Sequence, residues 1–294
     1  SIKLQNYVLI IFILKFKLLH LDNLRCMQNK ITIITVTLNA KSDLIKTIDS
    51  VQNQFYRNFE HIIKDSNSTD GTREINFNKY KNTFFYFKED KGIYDGMNKA
   101  FGFAKGDYIM FLNAGDTLFD ENVLNLINNN FLENPLSTCL IGYTAQINYK
   151  DLSKFKLLGY GWPYRILPYV QYPHPSFVLR NNVAKKVLPL FDPSLCIASD
   201  FKQQLILRKR NLFKPAFIRS VITLMPIGGK STSSALSYLK GFLEVCKLSF
   251  RLYKSLFVLV LFSKLILIIY KNLNFSKYPK DINRIVLEKL KNYL

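Results

Sequence analysis

Acidic residues are scarce in the second half of this chain. Residues 151–294 hold 24 Lys and Arg against 6 Asp and Glu, a net of +18, whereas residues 1–150 hold 17 against 15. Cysteine is sparse and unpatterned, since Cys26, Cys139, Cys196 and Cys246 show no CxxC spacing and no neighbouring histidines. That signals neither a zinc site nor a disulfide framework, and it suits a reducing cytoplasm. No helix-turn-helix, RNP or zinc-finger pattern accompanies the formal charge of +20, so nucleic acid is not the expected partner.

Uninterrupted apolar runs of membrane-spanning length, roughly 20 residues, are also missing. The run in "YVLIIFILKFKLL" is broken by Lys15 and Lys17, and no small-residue cleavage site follows it as a signal peptide requires. Residues 1–29 therefore read as an apolar extension, with the domain and a natural start expected near Met27. "SLFVLVLFSKLILIIYKN" (Ser255 to Asn272) is interrupted by Ser263 and Lys264 and flanked by Lys254 and Lys271. It is marginal for spanning and suited to lying in an interface, or to forming a core helix pair. Nearly all the basic excess accompanies these C-terminal apolar stretches, a combination that an anionic membrane surface attracts.

At 294 residues with 48% hydrophobic content, the chain can bury one substantial core. From Lys30 onward, strand and helix patterns alternate. Strands are expected at "ITIITVT", "FEHIIKD", "FFYFKED" and "DYIMFLN". Helices are expected at "SDLIKTIDSVQNQ" with a capping residue, "STDGTREINFNKY" and "IYDGMNKAFGFAK". Such alternation predicts an α/β fold, a parallel sheet covered by helices. In such a sheet the carboxyl ends of the strands form the ligand crevice, and here those ends carry Thr37, Asn39, Asp65, Asp90, Asn113 and Asp116.

"ITVTLNA", "KDSNSTDGT", "EDKGIYDGMNKAFGFAKGDYIMFLNAGD", "HPS" and "ASDF", in that order, resemble the family 2 glycosyltransferases of GT-A fold. The resemblance is to the bacterial polysaccharide branch with "DxGIYDAMNK" and "LNAGD" segments, and it covers about Ile31 to Gly229. It implies a Rossmann-like nucleotide-binding sheet over residues 30–235, while from their charge and apolar runs residues 236–294 read as a basic, apolar helical appendage, membrane-associated or packed as a core helix pair. It also implies transfer of a hexosyl group from a nucleotide-diphosphate sugar to an acceptor hydroxyl, with inversion at the anomeric carbon.

The site residues follow from the same resemblance. Asp65 matches the aspartate near the base, with Thr37 and Asn39 on the same edge; Asp90, Gly92, Asp95 and Asn98 belong to the nucleotide-sugar site. The helix opening at Gly92 presents N–H groups beside Asp90 and Asp95, which favours a diphosphate only if a cation offsets the acids. A divalent cation, Mg2+ or Mn2+, is therefore expected. The wider family's DxD segment is reduced here to Asn113, Ala114, Gly115 and Asp116, leaving Asp116 with Asn113 as metal ligands. Lys64, where an apolar residue is usual, is a second departure.

In the second half, Asp200 matches the family's catalytic base, the alternative being a helix-start acid favoured by the macrodipole. His174 in "YPHPSFVLR" is a binding candidate or a loop anchor. Lys230 in "PIGGKSTSS" resembles a loop near donor phosphates, or belongs to a linker. Trp162, with Tyr160, Tyr164, Tyr169 and Tyr172, forms an acceptor wall by stacking or packs over the core.

The expected function is transfer onto a lipid-linked or oligosaccharide acceptor in O-antigen, capsule or exopolysaccharide synthesis. The expected location is the cytoplasmic side, peripheral at the inner face of the plasma membrane. A silent, membrane-associated nucleotide-sugar binder is the rival reading. A nucleotidyltransferase is disfavoured because "VTLNAKSD" lacks a glycine-rich basic loop after the first strand.

Overall fold

The computed structural model describes residues 28–148, 151–159, 164, 167, 169–228, 235–254, 257–272 and 280–291. The segment 1–27, Tyr160, Trp162 and Lys230 lie outside the described residues, as do the expectations placed on them.

Strands β1 (Ile31–Thr37), β2 (Phe59–Asp65), β3 (Thr83–Phe87) and β4 (Tyr108–Phe111) run parallel in the order β3-β2-β1-β4. Every residue of β1 and β2 is buried, as expected of β-branched strands covered on both faces. Their side chains alternate between two cores: Ile31 and Ile33 enter one cluster, Ile34 and Val36 the other.

Beyond β4 the sheet becomes mixed. Strands β5 (Thr117–Leu118), β6 (Cys139–Asn148), β7 (Asp151–Leu158), β8 (Phe177–Arg180) and β9 (Pro215–Pro226) extend it in the order β4-β8-β6-β9-β5, with β7 paired to β6. The β6 and β7 ranges are separated by two residues, a connection too short for the crossover that a parallel pair needs. The alternating pattern therefore describes only the first half.

The described α-helices are α1 (Lys41–Gln52), α2 (Ile93–Phe101), α3 (Val123–Glu133), α4 (Asn181–Ala184), α5 (Ser199–Lys209), α6 (Ala235–Tyr253), α7 (Phe257–Asn272) and α8 (Lys280–Lys291). The helix expected in "STDGTREINFNKY" is instead two 3-10 turns, Thr72–Glu74 and Phe77–Lys79. The Asp70 carboxylate accepts from both the N–H and the hydroxyl of Thr72, and Gly71 adopts φ +82°, so local side-chain bonds displace a helical start. The cap of α1 also differs from expectation. Its first N–H, from Lys41, is taken by Asp70 across the crevice at 2.8 Å, and no side chain at the N-cap position contributes.

The C-terminal helices pack on the sheet domain. Val245, Leu248 and Val260 share a core with Phe201 and Leu205 of α5, while Leu267 joins the cluster around α2. Val286 and Leu290 of α8 join the cluster beneath β1, and Lys289 meets Glu121 at 3.4 Å. No helix among the described residues is long and apolar enough to cross a membrane.

Candidate active site at the carboxyl edge of the sheet

The register places Thr37, Asp65 and Phe87 side by side at the ends of β1, β2 and β3. Asp65 is fully buried and organises the loop that follows it. Its carboxylate accepts the Ser68 N–H at 2.9 Å and the Ser68 hydroxyl, with Arg73 Nε at 3.7 Å. Ser68 Oγ in turn accepts the Asn39 N–H at 2.8 Å, and Asn39 Oδ1 accepts the Thr69 N–H at 2.8 Å. Asn39 sits at φ 51°, a left-handed position that asparagine tolerates. Thr37 Oγ1 is buried and has no hydrogen-bond partner. The structure thus brings Thr37, Asn39 and Asp65 together, with Asp65 and Asn39 bonded into the loop network.

The acids beside α2 are arranged differently from expectation. Lys64 is buried and its ammonium pairs with the Asp90 carboxylate, which also accepts the Gly92 N–H at 3.0 Å. Gly96 makes this possible, because a Cβ there would stand 2.8 Å from Asp90 Oδ2. Asp95 accepts the Lys91 N–H and the Lys99 ammonium, each at 2.8 Å, and these bonds hold its carboxyl below the usual range. The offsetting cations are therefore Lys64 and Lys99 of the chain itself. The case for a metal cannot rest on Asp90 and Asp95.

Asn98 is a structural clamp in place of a binding group. Its amide donates to the Phe191 carbonyl at 2.7 Å and accepts the Phe191 N–H at 2.9 Å. Tyr94, on the same helix, donates to the Ile197 carbonyl at 2.6 Å. Much of "GIYDGMNK" therefore locks the segment before α5 onto the nucleotide half.

The turn after β4 has free ligand capacity. Asp116 is 7% exposed, and burial pushes its carboxyl up to about 7 against a weaker opposing bond from the Asn113 backbone. Asn113 Oδ1 is buried with no hydrogen-bond partner. Gly115 holds φ +99°, and a Cβ there would lie 3.7 Å from Asp43 Cβ and 3.6 Å from Pro226 Cγ. Thr47 of α1 clasps the turn: its hydroxyl accepts the Gly115 N–H at 2.9 Å and donates to the Asp116 carbonyl at 2.8 Å. Thr47 was not legible as part of a site, being one more buried position on the inner face of a helix.

These oxygens fit a divalent cation. Among the described residues, an amide oxygen that is buried without a partner and a desolvated carboxyl without a cationic one stand in one four-residue turn as two hard oxygen donors, and phosphates can supply the rest. Among the described residues, no group of three or more His, Cys, Asp or Glu gathers to hold a metal by protein ligands alone.

On the other side of α2, Asp200 lies in the first turn of α5. Its Oδ1 accepts the Phe201 N–H and its Oδ2 the Gln171 amide, each at 2.8 Å. The Glu244 carboxylate of α6 fixes the approach to α5 by accepting from Cys196, Ile197 and Ala198 at 2.8 to 2.9 Å. His174 is stacked on Phe111 at 5.3 Å and edge-on to Phe191 at 5.4 Å, with both ring nitrogens buried and unpartnered. Burial holds its imidazole below the ordinary range, and the charge of Asp200 pulls the other way. Tyr164 and Tyr172 are buried, and the Tyr172 hydroxyl bonds the Tyr164 carbonyl at 2.9 Å, so these two rings pack over the core. The appendage also enters here: the Lys264 ammonium of α7 donates to Gln171 Oε1.

This arrangement meets an independent comparison. The family model described as "Glycosyl transferase family 2" matches residues 32–197, more than half of the chain. The chain belongs to glycosyl transferase family 2. Among curated relatives, a "PGL/p-HBAD biosynthesis glycosyltransferase" of Mycobacterium bovis is 34% identical over 97 residues, covering 32% of this chain and 38% of that protein. The Escherichia coli "UDP-Glc:alpha-D-GlcNAc-diphosphoundecaprenol beta-1,3-glucosyltransferase WfaP" is 36% identical over 100 residues, 33% of this chain and 39% of its own length. The matched segments thus span under two-fifths of these relatives.

Two solved structures share the glycosyltransferase fold. Staphylococcus aureus TarS in complex with UDP-GlcNAc superposes with a TM-score of 0.61 at 17% identity, covering 90% of this chain and 80% of that one. The Pyrobaculum calidifontis mannosyltransferase PcManGT, in complex with GDP-Man and Mn2+, gives 0.61 at 13% identity over 91% and 74%.

Proposed function

We propose that this family 2 chain is an inverting glycosyltransferase that moves a hexosyl group from a nucleotide-diphosphate sugar to an acceptor hydroxyl. The observation that carries the reading is the Asn113–Asp116 turn, where a desolvated carboxyl and an unpartnered amide oxygen stand at the carboxyl edge of β4. Ligands bind at this edge in open α/β sheets. The edge formed by Thr37, Asn39 and Asp65 receives the nucleoside, and His174, with two unengaged ring nitrogens, adds a bonding group beside Asp200. Asp90 and Asp95 shape the loop between the two.

In this reading Asp116 and Asn113 hold Mg2+ or Mn2+, which when bound supplies charge stabilisation to the leaving diphosphate. Asp200 accepts the proton of the attacking acceptor hydroxyl. The hydroxyl oxygen forms a bond to the anomeric carbon as the bond to the diphosphate oxygen breaks, so one displacement inverts the centre without a covalent enzyme intermediate.

The acceptor class we infer is a lipid-linked or growing cell-surface saccharide, met at the cytoplasmic face of the membrane. The E. coli relative named for a diphosphoundecaprenol acceptor supports it. So does an outward apolar face on α7 in which Leu259, Phe262, Leu265 and Ile269 are each at least 45% exposed. A nucleotide-sugar binder without turnover is the second reading, favoured by the absence of a three-carboxylate or His-containing metal cluster among the described residues.

The test is a thermal-shift series with UDP, GDP, dTDP and CMP, with and without manganese, on wild type, Asp116→Asn and Asp200→Asn, alongside nucleotide release from the matching sugar donor. A nucleotide at 100 times its dissociation constant stabilises by about 2.7 kcal/mol. Loss of the manganese-dependent shift in Asp116→Asn supports the metal assignment. Asp200→Asn should keep the shift and lose about 10² to 10⁴-fold in transfer. Since Asn caps a helix about as well as Asp, wild-type transfer in Asp200→Asn would reduce Asp200 to a structural acid.

A further inference from the structure

Lys264 interrupts the most apolar helix of the chain, yet its side chain is only partly exposed and is bonded inward. Its ammonium donates to Gln171 Oε1 and lies 5.1 Å from the centre of the Phe201 ring. The other end of the same amide donates to Asp200 Oδ2 at 2.8 Å. The amide orientation is fixed by its neighbours, since only Oε1 can accept from an ammonium and only Nε2 can donate to a carboxylate. A hydrogen-bonded chain thus runs from α7 through Gln171 to Asp200.

We propose that Lys264 and Gln171 are positioning residues for Asp200, and that the C-terminal helix completes the acceptor side of the site by delivering an inward-bonded cation behind the base. The inference rests on the reading of Asp200 as the base. A partly buried ammonium polarises the Gln171 amide and strengthens its bond to the carboxylate, the group that accepts the proton. Burial pulls the Lys264 ammonium below its ordinary range while the charge of Asp200 pulls it back up. Among the described residues, the other titratable groups facing Asp200 are Tyr94 of α2 and His174, and burial holds both in their neutral forms at neutral pH. Glu244 of α6 bears on Tyr94 and is bonded to the backbone before α5. Lys202, on the same helix as Asp200, is paired with Asp192. Lys264 is therefore the cation joined to the carboxylate through a side-chain chain.

The experiment uses the full chain in two readouts. In the first, lysine side chains carry 13C at Cε, and the Lys264 signal, identified by its loss in Lys264→Met, is titrated in wild type, Gln171→Leu and Asp200→Asn. The midpoint should fall in both variants, because each removes the link to the negative charge; an unchanged midpoint in both overturns the relay. In the second, UDP release from UDP-glucose or UDP-N-acetylglucosamine, whichever turns over, is followed against pH. Lys264→Met and Gln171→Leu should lower kcat about tenfold, a fraction of what a general base contributes, with donor KM unchanged and the acid limb displaced to higher pH. Lys264→Arg, which keeps the cation, should restore the limb in part.

A loss of rate with an unmoved acid limb would mean that Lys264 only packs the helix, and it overturns the proposal. In the double variant Asp200→Asn/Lys264→Met, no further loss beyond Asp200→Asn is expected, because the two act as a unit. Additive losses overturn the relay and leave the base reading standing. Wild-type turnover in Asp200→Asn would overturn both.

Discussion

Lys64 of β2 and Asp90 of the loop before α2 form a buried ion pair, with side-chain exposures of 2% and 9%. The pair joins the lysine at the end of a buried strand, a departure visible in the sequence, to a glycine at position 96 where a Cβ would crowd the Asp90 carboxylate. Breaking one partner of such a pair is costly because the other charge stays buried, whereas removing both is often close to neutral.

Lys64→Met should therefore destabilise the protein by about 3–5 kcal/mol, measured by urea denaturation. Lys64→Met/Asp90→Asn should recover most of that loss. A single variant costing less than about 1 kcal/mol would show that Asp90 finds another counter-charge.

Thr47 gives a second prediction, because one hydroxyl serves both the N–H of Gly115 and the carbonyl of Asp116. Thr47→Val keeps the shape and leaves a buried N–H without a partner, at a cost of about 1–3 kcal/mol. The turn that carries Asn113 and Asp116 should loosen with it. Manganese-dependent nucleotide stabilisation should then fall by more than the metal-free value does, and equal reductions would separate Thr47 from the site.

The first four strands and their common polar edge were legible because each is a short β-branched or aromatic run that ends at, or is followed within three residues by, an acid or amide. The motifs then placed Asp65, Asp116 and Asp200 where the fold brings them to the sheet edge and the helix start. What those motif residues do was less legible. Asn98 and Tyr94 look like ligand contacts in one dimension, but they bond to the backbone of residues roughly 100 positions away, Phe191 and Ile197. Thr47, Gln171 and Lys264 were invisible as a group because their partners are separated by 66 to 93 positions or lie on other elements. One signal was present. A single lysine in the middle of an apolar helix needs either solvent or a buried partner.

His61 makes stability depend on pH. It is fully buried, and desolvation takes its imidazole from 6.5 down to about 3. Thr35 Oγ1 gives its proton to the Leu112 carbonyl at 2.6 Å, so the bond of 2.8 Å to His61 is donated by Nε2–H, which defines the neutral tautomer. The unfolded chain binds a proton below 6.5 and the folded chain does not until about 3, so stability is lost as pH falls through this window. Asp116 works in the opposite sense, being raised to about 7, and so gains stability over part of the same range. The difference between wild type and His61→Gln isolates the histidine, since the Asp116 contribution is common to both. From pH 7 to pH 5 wild type should lose about 2 kcal/mol more than His61→Gln, read from denaturation midpoints at each pH. Parallel pH profiles would show that His61 is solvated in the folded protein.

The outer face of α7 supplies the last prediction. Val260, Ser263 and Leu267 are buried and Lys264 is bonded inward, while Leu259, Phe262 and Leu265 point outward at 45–54% exposure. Deleting the helix would strip the core shared with α5, so truncation cannot separate membrane binding from folding. Point substitution can. Leu259→Ser/Phe262→Ser/Leu265→Ser leaves the inner face untouched and should keep the melting temperature of wild type. Binding to vesicles containing phosphatidylserine should weaken by at least about tenfold, because each apolar side chain contributes roughly 1.5–3 kcal/mol when it leaves water. The basic residues of α6, among them Lys240, Lys247 and Arg251, should make the remaining binding salt-sensitive, so that it vanishes on phosphatidylcholine alone and at high ionic strength. Wild-type vesicle affinity in the triple variant would show that the face meets a protein partner or solvent, and would move the membrane contact to another part of the chain.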